Sequence, residues 1–260
     1  MTYVDFKSVY VNYPVYMLEA KRIRQKLLHM VSFGHFGANN SERVVIHALK
    51  DISLSLQAGD RLGIVGLNGS GKTTLLQTVA GILEPAHGLR RVKGTISALY
   101  NIGLGFDPEA NGYYNIKLRG LFMGLTPQEI ESIIPDVEEF TELGEFLHLP
   151  IRTYSAGMQV RLAFAVATCI KPDILIMDEW IGAGDIRFQE RSKARVNEVV
   201  ASSSLLLLAS HTESLIKNNC NKAVLLHHGE IQEYGEVDDV YREFEKLCSY
   251  VNKKVEEKNG

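Results

Sequence analysis

Three short, unbroken apolar runs stand out along the chain: Arg61-Leu-Gly-Ile-Val65, Ile174-Leu-Ile-Met-Asp178 and Leu205-Leu-Leu-Leu-Ala209. None alternates with polar residues, and their ends carry a glycine (Gly66), an acid (Asp178) and Ser210-His211. That is the pattern of strands buried on both faces, as in a parallel sheet. Helical periodicity fills the intervals. Thr73 to Ile82 follows a glycine loop, and Met158 to Ala167 places Val160, Phe164 and Ala167 at spacings of four and three. Buried strands alternating with helices predict an α/β fold on a mostly parallel sheet.

Two stretches break that rhythm. Residues 103–150 carry Gly, Pro and acidic residues around helical segments such as Thr126 to Ile134. There Thr126 is placed to cap, Pro127 suits the first turn and Glu129 completes a capping box, so the stretch reads as a helical insertion. Residues 17–31 put Ala20, Ile23, Leu27 and Met30 on one stripe, with Lys21, Arg22, Arg24 and Lys26 supplying positive charge. Such a stretch either meets a membrane partner or anionic headgroups, or packs on the core with its basic face solvated. Farther on, Val237, Val240, Tyr241, Phe244 and Leu247 recur at helical spacing, and the final KKVEEKNG is expected to fray.

Composition narrows the class. A chain of 260 residues can bury an ample core, as one large domain or two small ones. With 45% hydrophobic and 23% charged residues it is not a disordered chain. Its net charge of −3 lacks the basic footprint of a nucleic-acid binder. Apolar runs such as Leu205 to Ala209 fall far short of the roughly 20 residues that cross a bilayer. The start, MTYVDFKSVY, shows no secretory signal. Cys169, Cys220 and Cys248 are too widely spaced for a CxxC motif and read as free thiols in a reducing compartment. The expectation is a soluble intracellular protein.

The chemistry begins at Gly66-Leu67-Asn68-Gly69-Ser70-Gly71-Lys72-Thr73, followed by Thr74, which fits GxxxxGK[ST]. Glycines let successive backbone N–H groups turn inward as a nest for phosphate oxygens. The following helix presents its positive end to the same anion. Lys72 is placed for the β- and γ-phosphates of a nucleoside triphosphate, and the Thr73 hydroxyl for Mg²⁺. The motif sits between a strand and a helical stretch, as this chemistry requires. Asp178, closing the second apolar run, is assigned to Mg²⁺, and Glu179 to orienting and deprotonating the attacking water.

Phosphate loops serve many activities. Tyr154-Ser155-Ala156-Gly157-Met158-Gln159 narrows the choice, because a Ser-x-Gly turn opening a helix is a second anion-binding terminus, 23 residues before Asp178. It resembles the LSGGQ signature of the ABC ATPases in a Y-S-x-G-M variant. The resemblance extends over residues 1–235 in motif order. Pro172 matches the family's proline loop. Asp185, in Gly182-Ala-Gly-Asp185, matches the D-loop at the subunit contact. His211 matches the switch histidine that senses the γ-phosphate. Tyr13 looks like the aromatic that stacks on adenine, with Tyr10 and Tyr16 as rivals.

The implied fold is a P-loop NTPase with a RecA-like core, an antiparallel β subdomain and an inserted helical subdomain (about 103–168). Residues 1–235 would form the nucleotide-binding domain, with a basic insertion at about 17–47, and residues 236–260 a helical tail. One feature departs from the family: where the Q-loop glutamine is expected, the sequence reads Asn101-Ile-Gly-Leu-Gly105, and Asn101 is the nearest polar equivalent. That replacement is similar to the branch exporting O-antigen, capsular or teichoic polymers. So are Gly105-Phe-x-Pro-Glu109, GMQVRLAFAVA after the signature, and Asp178-Glu-Trp180.

Several partners follow from the resemblance. ATP and Mg²⁺ are the implied ligands. A second copy of the chain would form a homodimer in which each signature closes over the other's ATP. An integral membrane permease would carry the polysaccharide, and the ATPase would sit peripherally on the cytoplasmic face of the bacterial inner membrane. Little length remains after residue 235 for the carbohydrate-binding domain that some members carry. The competing readings are an importer or drug-exporter subunit, and a soluble ABC ATPase acting on nucleic acid or ribosomes. The last usually brings tandem units, coiled-coil insertions or zinc-binding cysteines, none of which is in this sequence.

Overall fold

The computed structural model describes residues 1–15, 36–38, 44–99, 105–179 and 186–259. In chain order it begins with strands β1 (Tyr3–Val15), β2 (Phe36–Ala38), β3 (Val44–Gln57) and β4 (Arg61–Val65). Helix α1 (Lys72–Val79) and strands β5 (His87–Lys93) and β6 (Ile96–Leu99) follow. Next come helices α2 (Gly112–Phe122), α3 (Pro127–Thr141) and α4 (Ala156–Thr168), strand β7 (Ile174–Asp178) and helix α5 (Ile186–Ser202). The last elements are β8 (Leu205–Ala209), α6 (Glu213–Asn219), β9 (Lys222–His227), β10 (Glu230–Gly235) and α7 (Val237–Asn259). The chain divides into two compact units, Met1–Gly94 with Leu205–Gly260, and Thr95–Ser204.

In the first unit, β2, β3, β1 and β5 form an antiparallel sheet in that order. The β1–β3 pair contains three register shifts, the last between Val11↔Leu49 and Asn12↔His47 with its extra residue on β3. Between Phe6↔Leu54 and Val9↔Ile52 the extra residue is on β1, and between Val9↔Ile52 and Val11↔Leu49 it is on β3. Ser8 (φ 48) and Asp51 (φ 51) take the left-handed backbone that these first two bulges require. The buried face therefore changes parity mid-strand, from Val4 and Phe6 to Val9 and Val11, and from Leu56, Leu54 and Ile52 to Leu49. Strands β8, β4 and β9 run parallel, with Ile64 opposite both Ala209 and Val224. They are buried along almost their whole length, as their unbroken apolar runs predict. β10 closes this sheet as an antiparallel hairpin with β9.

The first unit also bears on two sequence expectations. Val44–His47, placed in the insertion by sequence, form the start of β3, whose β-branched residues pair with β1. The insertion's amphipathic stripe lies outside the described residues. α7 runs helical through Asn259, into the KKVEEKNG segment expected to fray. That helix carries Asp238 and Asp239 in its first turn, favourable to its dipole, and Arg242–Asp239 and Lys246–Glu243 ion pairs on its surface.

In the second unit, β6 and β7 pair in parallel, Ile96 opposite Ile174 and Leu99 opposite Met177. A reciprocal clamp starts the pair: Asp173 Oδ2 accepts from the Thr95 N–H (2.8 Å) and hydroxyl (3.0 Å), and the Asp173 N–H donates to Thr95 Oγ1 (2.9 Å). Those donors hold the Asp173 carboxyl below the ordinary carboxylate range. Helix α3 starts with the predicted capping box. The Glu129 N–H donates to Thr126 Oγ1 (3.3 Å), the Thr126 N–H donates to Glu129 Oε2 (2.7 Å), and Pro127 occupies the first turn. Phe140, Phe164 and Phe188 bring α3, α4 and α5 together, with ring centroids 5.6–5.8 Å apart. Arg195 lies over the Phe140 ring and pairs with Asp136, closing that aromatic core.

Candidate functional site

The phosphate loop leaves the C-terminal end of β4 and ends in α1. Gly71 holds the N-cap position at φ 110, which a side chain rarely adopts, and no side chain caps the helix. The amides of the first turn are therefore left to the loop's own concavity. Lys72 is 8% exposed, and its ammonium donates to the Gly66 carbonyl (2.7 Å) and the Leu67 carbonyl (3.2 Å). The cation is thus held over the loop. Ser70 is 3% exposed, and its Oγ has no hydrogen-bond partner among the described residues. A buried hydroxyl without a partner costs free energy that a ligand oxygen recovers. A glycine cradle, a buried ammonium, an uncapped helix start and an orphaned hydroxyl together fit a phosphate group. Thr73 is exposed, Thr74 and Leu67 are half-buried, and Asn68 and Gly69 are exposed.

The far end of α1 is braced as well. Arg90, on β5, donates from Nε to the Thr78 carbonyl (2.6 Å) and from Nη2 to the Val79 carbonyl (2.9 Å). Its charge sits at the negative end of the helix that offers its positive end to the loop. Sequence reasoning missed Arg90, since nothing local marks an arginine on an alternating strand as the cap of a distant helix.

Because β4 and β8 are parallel neighbours, Ser210 and His211 emerge at the same sheet edge as the loop, one strand across. That edge is where ligands of α/β sheets bind. Ser210 is buried, with its Oγ accepting from the Thr212 N–H (3.0 Å), whereas His211 is exposed. Tyr13 lies on β1 opposite Ile46 and is half-buried. Of its rivals, Tyr10 packs edge-on to His87 at 6.3 Å, and Tyr16 lies outside the described residues.

The second unit holds the remaining candidates. Asp178 ends β7, half-buried, and Glu179 follows, exposed and at φ 68. A left-handed glutamate is a strained turn of the kind that collects at functional positions. It re-aims Glu179 immediately after the strand's period-two alternation ends at Asp178. Both side chains supply hard oxygen donors, the class that suits Mg²⁺.

The signature region divides in two. Ser155 is exposed and caps α4, its Oγ accepting from the Met158 N–H (3.2 Å), and Ala156 and Gly157 are exposed beside it. Met158 and Gln159 are half-buried. Tyr154 turns inward instead: it is 5% exposed, and its hydroxyl donates to the Phe146 carbonyl (2.6 Å). Burial pushes its ionisation up. Tyr154 therefore anchors the turn rather than forming part of its presented surface. Asn101 and Asp185 lie outside the described residues.

Elsewhere, no described helix is long and apolar enough to cross a membrane. The cysteines are free, and burial pushes the Cys169 and Cys220 thiols up to about 12.

Comparison with known proteins follows the same outline. The family model described as ABC transporter matches residues 49–182. The chain is 43% identical over 233 residues to the O-antigen export system ATP-binding protein RfbE of Yersinia enterocolitica, covering 90% of this chain and 98% of that one. It is 39% identical to the teichoic acids export ATP-binding protein TagH of Bacillus anthracis, covering 82% of this chain but 39% of the longer relative. Among solved structures, an ATP-binding subunit of an ABC transporter matches with a TM-score of 0.66 at 20% identity, covering 93% of this chain and 92% of that one. A dimeric ATP-binding cassette in a post-hydrolysis state, bound to ADP and phosphate, matches at 0.63 and 18%, covering 90% and 98%. These two structures speak for the fold.

Proposed function

We propose that this chain, which belongs to the ABC transporter family, is the ATP-hydrolysing subunit of an exporter that moves a cell-surface polysaccharide, O-antigen or capsule-like, across the inner membrane. One observation carries the export reading: the likeness to an O-antigen export ATP-binding protein runs along nearly the whole of both chains. The phosphate loop supports the ATPase reading independently, through its buried ammonium and orphaned Ser70 hydroxyl.

The roles divide by chemistry. Residues Gly66 to Thr74 hold the phosphates through backbone amides, and Lys72 neutralises charge developing on the transferred group. Tyr13 stacks on the adenine. The Thr73 hydroxyl and the Asp178 carboxylate would hold Mg²⁺, which when bound supplies further charge neutralisation at the phosphates. Glu179 accepts the proton of the attacking water, and His211 contacts the γ-phosphate. The exposed Ser155–Gly157 turn donates to ATP held by a second copy, so the working unit is a homodimer. Asp185 lies at the contact between copies, and Asn101 takes the Q-loop position. The transport path belongs to a separate membrane permease, and the subunit acts peripherally at the cytoplasmic face.

Affinity purification of the tagged chain from detergent-solubilised membranes tests this. The expected result is Mg-dependent ATPase activity recovered together with an integral membrane protein. Recovery with ribosomes or DNA in place of a membrane protein would overturn the transport reading.

A further inference from the structure

The turn between β9 and β10 bridges the phosphate loop and the antiparallel sheet. The Gly229 N–H donates to the Ser70 carbonyl (2.9 Å), and the Gly229 carbonyl accepts from the Lys50 N–H (2.8 Å). Lys50 can face outward because it stands in the β3 bulge, between Leu49, paired with Val11, and Ile52, paired with Val9. The Lys50 ammonium pairs with Glu230 at 3.5 Å across the same junction. His228, just before the turn glycine, has φ 52.

The packing leaves no slack. Gly229 is at φ +79, and a Cβ there would stand 2.6 Å from the Ala48 carbonyl oxygen. A Cβ on Gly71 would stand 2.9 Å from that same oxygen and 3.6 Å from Gly229 Cα. On the other side, a Cβ on Gly66 would stand 2.3 Å from the Leu226 carbonyl oxygen. Both ends of the phosphate loop therefore lie in backbone contact with the hairpin.

We infer that the His228–Gly229 turn is a positioning element for the ATP site, a backbone strut that fixes the phosphate loop against β3 through Gly229. This rests on reading residues 66–74 as the ATP-binding loop. The physical reason is that loop amides bind phosphate well only if they already point inward, and a loop free to relax must be reordered by the ligand at the cost of affinity. A positioning role predicts a particular kinetic split. The KM and dissociation constant for ATP rise, while kcat at saturating ATP is retained, because bound nucleotide restores the loop. A merely structural role would instead lower the folded fraction, reducing kcat at unchanged KM.

The test is Gly229→Ala in the full chain, assayed with Mg-ATP beside two other variants. Gly229→Ala should raise the dissociation constant about tenfold, with kcat within about twofold of wild type. Gly235→Ala, in the same hairpin but with nothing within 4 Å of its added Cβ, should change neither. Lys72→Ala separates the two layers of the argument. If it binds ATP as wild type does, the loop reading fails; if it loses ATP while folded Gly229→Ala does not, the strut is wrong and the loop reading stands. Hydrogen exchange on the wild-type protein serves if Gly229→Ala does not fold. Mg-ATP should slow exchange in a peptide spanning residues 226–232, and unchanged exchange there would overturn the proposal.

Discussion

The phosphate loop and the signature turn are both helix N-termini, and they are built in opposite ways. At α1 the cap is a glycine without a side chain, the lysine is buried on loop carbonyls, and the Ser70 hydroxyl has no partner among the described residues. The helix is braced at its far end by Arg90. At α4 the cap is Ser155, whose own hydroxyl satisfies the Met158 N–H, and the turn from Ser155 to Gly157 is exposed. One terminus is held for an anion by its own surroundings. The other is already satisfied locally and presents a small-residue surface outward, which suits a ligand delivered by another molecule. On the proposed reading, one terminus is complete within one copy and the other serves as half of a site.

That contrast can be broken experimentally. The largest effect is expected at neither turn but at the proposed base. Glu179→Gln should lower steady-state hydrolysis by about 10²–10⁴-fold while leaving ATP binding intact. ATP-bound dimer should accumulate on size-exclusion chromatography. Full turnover in this variant would remove Glu179 from its role.

Next comes Lys72→Ala, which should cost roughly 10²–10³-fold in turnover by phosphate release, and should weaken ATP binding by a single copy. Unaltered nucleotide affinity would mean that α1 is not the preorganised terminus.

The smallest effect sharpens the comparison at α1 alone. Arg90→Gln removes the cation from the α1 C-terminus and should cost about 1 kcal/mol of stability, seen as a lower Tm, with a modest loss of ATP affinity. A Tm equal to wild type would show that the α1 brace contributes nothing.

How legible these features were in sequence follows from the range of the forces behind them. β4, β7 and β8 are continuous apolar runs, and the Thr126–Glu129 box and the glycine loop are written in adjacent residues. Each could be read without tertiary knowledge. The long β1 and β3 strands could not, because bulges at Ser8 and Asp51 shift the alternation by one residue in mid-strand and erase its period. The start of β3 at Val44 lies outside those bulges, and only its pairing with β1 and β2 marks it as strand. Within the site, Lys72, Asp178 and Ser155 fall at element ends that local pattern marks. The inward turn of Tyr154 depends on Phe146 and the Arg90 cap on a strand beyond α1, so both are tertiary facts without local signal.

The central claim is that the exposed signature turn of one copy completes the ATP site of another, and mixing two inactive variants tests it most directly. Lys72→Ala lacks a working phosphate loop but keeps its signature turn, while Ser155→Arg keeps the loop but blocks the turn. Mixed in the presence of Mg-ATP, they should regain hydrolysis that neither shows alone, because the pair contains one intact loop facing one intact turn. A mixture no more active than the two proteins assayed separately would contradict the account.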